Sequence, residues 1–60
     1  MFTAYLLNPS KTVRIKRDNI PDYIEAVKQA DAWFRHNTDC TATVWEHGIS
    51  PVYTVEPLNA

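Results

Sequence analysis

Four residues in the second half of the chain have types that could hold a metal: His36, Asp39, Cys40 and His47. A histidine and a cysteine four apart can converge, but a closed zinc site takes four ligands, usually in two close pairs. The second pair is missing here, so no metal is expected. Cys40 reads as an ordinary buried thiol at a strand start, and His47 beside Gly48 as a solvated turn residue. Cys40 with either histidine has the makings of a nucleophile and base. A single-layer sheet of this size offers them no cleft, however. One glycine in 60 residues cannot build a Gly-rich phosphate loop. No catalytic residue and no cofactor is expected, and the chain reads as non-enzymatic.

Two further groups of residues invite binding rather than catalysis. Lys11, Arg14, Lys16 and Arg17 put four of the six basic residues in one short stretch. If Arg14 and Lys16 share a sheet face with Tyr5, Trp45 and Tyr53, the result is a charged platform on which single-stranded bases could stack. The formal net charge of −1 argues against general polyanion binding. A solvated edge guarded by lysine and arginine explains the same basic run.

The elements that must position these residues follow from periodicity. Phe2 to Leu7 is rich in β-compatible residues and ends at Asn8-Pro9-Ser10-Lys11, a turn signature in which proline presets φ and asparagine bonds its own backbone. The next run, Thr12 to Arg17, alternates apolar with basic residues, the mark of a half-buried strand. A helix is expected over about residues 20–36, capped by Asp18 or Asn19 with Pro21 in its first turn. Ile20, Tyr23, Ile24, Val27, Ala30 and Phe34 share one helical face and are the expected core stripe. Cys40 to Trp45 and Val52 to Glu56 are β-branched and aromatic runs, with Gly48 expected to supply a positive φ between them. Pro57 stops the last strand, and residues 58–60 are expected to fray.

The sum is an α+β fold. It is one ββαββ domain over residues 1–60, with hairpins at about 2–17 and 40–56. Its four-stranded antiparallel sheet carries the single helix across one face. Simple alternation sets Phe2, Ala4, Leu6, Val13, Ile15, Ala42, Val44 and Val52 against the helix. The other face then holds Tyr5, Leu7, Arg14, Lys16, Thr41, Thr43, Trp45, Tyr53 and Val55. That much apolar surface left open marks a binding or dimerisation face. The opposite register for the last strand would instead put Tyr53 and Val55 into the core.

Two helix residues stand out. Trp33 lies off the expected stripe, where it either anchors a partner or closes the sheet rim beside Asn37. Asp31 falls within the stripe and needs a partner, because an unpaired buried charge is costly. Arg35 or a basic residue of the second strand would serve, and a structural ion pair is favoured over a catalytic acid.

A chain of 60 residues buries only about 60% of the surface its unfolded form exposes. A single cysteine excludes an internal disulfide, so self-association, as a homodimer, is the remaining source of stability. Residues 1–7 are too short and uncharged for a signal peptide, and no apolar run approaches the ~20 residues that span a bilayer. A cytoplasmic setting without membrane contact is expected. The expected function is protein binding through Tyr5, Trp33, Trp45, Tyr53 and Val55. Its size suggests a small regulator or inhibitor of the kind phages and mobile elements encode, and single-stranded nucleic-acid binding through Lys11, Arg14, Lys16 and Arg17 is the alternative.

Overall fold

In a computed structural model that describes residues 1–47 and 50–57, the chain runs β1 (Phe2–Leu7), β2 (Val13–Ile20), α1 (Tyr23–His36), β3 (Thr41–Glu46) and β4 (Ser50–Val55). The strands form one antiparallel sheet in the order β2-β1-β3-β4. This is the expected ββαββ arrangement. The positions of Gly48 and of residues 58–60 lie outside the described residues.

Each boundary has a local cause. Asn8 and Lys11 close a turn, with the Lys11 N–H donating to the Asn8 carbonyl at 2.8 Å and the Asn8 N–H donating to the Thr12 carbonyl at 2.8 Å. Pro9 presets the first central position, and Lys11 takes a left-handed φ of 73° to complete the bulged hairpin loop. The helix begins later than its periodicity suggests. Proline disfavours helical backbone in the residue before it, so Pro21 keeps Ile20 extended, where it pairs with Phe2 in the sheet. The cap is therefore Asp22, not Asp18 or Asn19; its carboxylate accepts the Glu25 N–H at 3.1 Å. Asn37 ends the helix, its backbone N–H bonded to the Phe34 carbonyl and its side-chain amide to the Trp33 carbonyl.

Three irregularities break the sheet's period of two, and each moves residues to the face opposite the one alternation assigns. Between β1 and β2, Leu6 pairs with Ile15 but Leu7 with Val13, so Arg14 is extra and Val13 joins Leu7 on the face away from the helix. Farther along, Ala4 pairs with Arg17 and Phe2 with Ile20. Asn19 absorbs the extra position with a φ of 57°, a conformation asparagine tolerates, and Ile20 is turned into the core. Between β3 and β4, Val44 pairs with Tyr53 but Trp45 with Pro51. Val52 is the extra residue there, and it is exposed rather than buried.

The core is correspondingly small: Ala4, Leu6, Ile20, Ala26, Ala30, Cys40, Ala42 and Val44 are fully buried. Phe2, Trp33, Phe34, Tyr53 and Val55 pack around it. The helix meets the sheet through Ala26 and Ala30, not through the centre of its apolar stripe. Alanines let the helix backbone approach closely, and the large rings of Trp33, Phe34 and Tyr53 seal the margins. This roll leaves Ile24 61% exposed and Tyr23 at the rim, its ring 5.6 Å from that of Phe2.

Candidate functional site

The sheet face turned away from the helix carries a shallow concavity of about 330 Å³ lined by Tyr5, Leu7, Val13, Thr43 and Trp45. Three adjacent strands build it. Tyr5 and Leu7 come from β1, Thr43 and Trp45 from β3, and Val13 reaches it from β2 through the bulge at Arg14. Thr43 forms the floor at 6% exposure, its hydroxyl bonded to the Tyr53 carbonyl and to the Thr54 hydroxyl, each at 3.2 Å. That floor is buried and polar-satisfied, while the walls are apolar. Val13 stands 54% exposed at the margin, a β-branched side chain that packing within the chain does not need.

One end of this face is polar and self-paired. Lys16 pairs with Tyr5 across the strands, its Nζ 5.9 Å over the ring centroid, within reach of a cation–π contact. The same ammonium lies 3.5 Å from Asp18, and Asp18 accepts the Thr3 hydroxyl at 3.0 Å. The net charge beside the concavity is therefore close to zero.

The residues singled out from the sequence divide between two sides of the sheet. Tyr5, Trp45 and Lys16 share the open face. Tyr53 and Val55 do not; they face the helix and pack against the core. This corrects the assignment from alternation, and the cause is the bulge at Val52. Trp33 also packs against the core, so it closes the sheet margin. Val13, which alternation sets against the helix, is the lining residue that periodicity misses. A bulge has no sequence signature here that would have revealed it.

The basic cluster is dispersed in the same way. Lys11 sits in the β1–β2 turn. Arg14 reaches toward the helix side, its Nη1 3.9 Å from the Cys40 sulfur. Arg17, also on that side, is held by Glu25 at 2.8 Å and Gln29 at 2.9 Å. Lys16 is the basic residue that remains beside the aromatics. Asp31 takes a neutral partner rather than a basic one: the Tyr53 hydroxyl donates to its Oδ1 at 2.6 Å. That hydrogen bond, then burial, then the nearby carboxylate charge raise the Tyr53 phenol above its ordinary value of 10.0.

Cys40 is buried at the start of β3, its Sγ 3.6 Å from Asp39 Oδ1, whereas His47 follows the strand's far end. Among the described residues, no three histidine, cysteine or acidic side chains converge as a metal site. No helix there is long and apolar enough to cross a membrane. No protein-family model matches the chain, and neither a curated protein nor a solved structure does.

Proposed function

We propose that this chain is a small, non-enzymatic protein-binding module whose working surface is the open sheet face centred on Tyr5 and Trp45. The observation that carries this reading is the apolar concavity those residues line with Leu7, Val13 and Thr43. Aromatic anchors in a pocket that can be desolvated dominate binding energy, and a rigid sheet presents them with little ordering cost on association. The lining residues include no acid, histidine or cysteine, which suits recognition better than catalysis. A regulator or inhibitor that works by occupying a partner's surface fits this chemistry. In the reducing cytoplasm Cys40 would remain a thiol, and a homodimer would supply the buried area that a thin core lacks.

The test is capture from the native host followed by titration of the purified partner. Trp45→Ala and Tyr5→Ala are each expected to weaken binding at least about 30-fold, the equivalent of about 2 kcal/mol. Retention of full affinity by both variants, folded as judged by circular dichroism, would overturn the reading.

Single-stranded nucleic-acid binding keeps one observation in its favour, the Lys16 ammonium over the Tyr5 ring beside Trp45. The engagement of Arg17 by Glu25 and the placement of Arg14 on the other side count against it. Titration of a labelled single strand at two salt concentrations separates the two: tight binding that salt weakens and Lys16→Ala abolishes would favour the nucleic acid.

A further inference from the structure

The two edges of the sheet are unequal. β2, at one edge, is irregular at two places and carries Arg14, Lys16, Arg17 and Asp18, the devices that keep an edge from pairing with another chain. β4, at the other, has Pro51 and the bulge at Val52 in its first half, but its second half, Tyr53 to Val55, is regular and uncharged. Among the described residues no strand lies beyond it. Its main-chain polarity can be read from one contact. The Tyr53 carbonyl faces β3, because it accepts the Thr43 hydroxyl. Backbone groups alternate sides along a strand, so the N–H and C=O of Thr54 point outward from the sheet.

The helix leans toward the same edge with its apolar flank. Glu25 and Gln29 turn to β2, where they hold Arg17. Asp31 turns to β4, where it meets Tyr53, and Ile24 and Val27 lie along that flank by helical spacing. The apolar stripe that the core does not take up therefore lies toward the strand whose second half, Tyr53 to Val55, has neither charge nor bulge.

From these two observations we infer that a second copy of this chain adds to the sheet by antiparallel pairing of β4 with its counterpart, about a two-fold axis through Thr54. This deepens the homodimer reading above and rests on it. The register follows from the outward groups of Thr54, which would exchange both main-chain bonds with the partner's Thr54 across the axis. Tyr53 of each copy then lies opposite Val55 of the other, an aromatic with β-branched pair of the kind that stabilises sheets. Thr54 meets its own counterpart on the open face. Glu56 falls opposite Val52, so no like charges face each other. That self-match is the reason the occupant is a copy of the chain and not a foreign strand. The interface is isologous and closes as a dimer. The product is one eight-stranded sheet with both helices on one side. On the other side the two concavities, each centred near β1, lie about 24 Å apart at ordinary strand spacing, a bivalent surface for one extended or two-fold partner.

The experiment is light scattering on the full chain, wild type and two variants at the exposed Thr54. Wild type is expected at twice the 6.9 kDa chain mass. Thr54→Lys, which sets two ammonium groups across the axis, is expected to run as a monomer with an unchanged circular dichroism spectrum. Thr54→Cys is expected to form a covalent dimer on mild oxidation, because directly bonded residues of an antiparallel pair bring their Cα atoms within about 5.5 Å, inside disulfide range. Lys16→Cys, on the opposite edge, is expected not to. A wild-type dimer that Thr54→Lys leaves intact and Thr54→Cys does not cross-link would overturn the β4 interface while leaving the homodimer standing. A wild-type monomer at millimolar concentration would overturn both, without touching the Tyr5 and Trp45 binding face.

Discussion

The Tyr53 hydroxyl donates a 2.6 Å hydrogen bond to Asp31, joining the edge strand β4 to the middle of the helix across 22 residues of sequence. It ties the helix, seated on the sheet through Ala26 and Ala30, to the side of β4 that the Val52 bulge turns inward. A phenol is a better partner for this half-buried carboxylate than the arginine its sequence neighbourhood suggests, because it satisfies the acceptor without bringing a second charge out of water.

Replacing Tyr53 with phenylalanine is expected to lower stability by about 1 kcal/mol near neutral pH, a modest value for a bond to a charged acceptor because the site is partly solvated. The folded state raises the phenol's pKa above 10.0, so it favours the protonated form. This contribution is fully present below about pH 10 and is lost as pH rises through the higher folded value. Urea denaturation at about pH 8 and about pH 11 should show the gap between wild type and Tyr53→Phe shrinking at the higher pH. A gap that widens there would contradict the assignment.

The close seat of the helix on the sheet makes its alanines unequal. Ala26→Leu and Ala30→Leu are each expected to cost about 1–3 kcal/mol by overpacking. Ala32→Leu, on the exposed side one step away, should change stability by less than about 0.5 kcal/mol. Thermal unfolding of the three variants checks this, and equal effects at all three positions would refute the roll.

The two tryptophans have separable roles. Trp33→Ala is expected to cost about 2–3 kcal/mol, somewhat below the loss for a fully buried ring. Trp45→Ala should cost about 1 kcal/mol or less in stability and act instead on partner binding. Chemical denaturation of both variants beside a binding titration distinguishes the two, and a more destabilised Trp45 variant would reassign that ring to the fold.

Lys11 occupies a left-handed backbone position at φ 73°, where a side chain is a disadvantage. Lys11→Gly is expected to raise stability by up to about 1 kcal/mol, the relief of that strain being partly offset by the freer unfolded chain. A higher melting temperature is the readout, and a lower one would show that Lys11 makes a contact worth more than its strain.

The amino-acid sequence by itself determined the elements and their order. Alternation in β1 and β3, proline and asparagine at the first turn, and helical spacing over about residues 20–36 are local properties, and they led directly to ββαββ, although the structure starts the helix at Tyr23. The open aromatic face was legible to the same extent. Tyr5, Leu7, Thr43 and Trp45 lie on the two central strands β1 and β3, whose mutual register has no irregularity, so counting by twos holds there. The tertiary structure alone decided what lies on the two outer strands and under the helix. A bulge inserts one residue according to what the neighbouring strand can bury, and it inverts the side of everything beyond it. Val13 was thereby delivered to the concavity and Tyr53 to the core. The helix's roll was likewise set by contact, since two alanines permit a closer approach than the larger side chains of its apolar stripe. Periodicity reports which residues are apolar together; only packing reports which of them the sheet has room to accept.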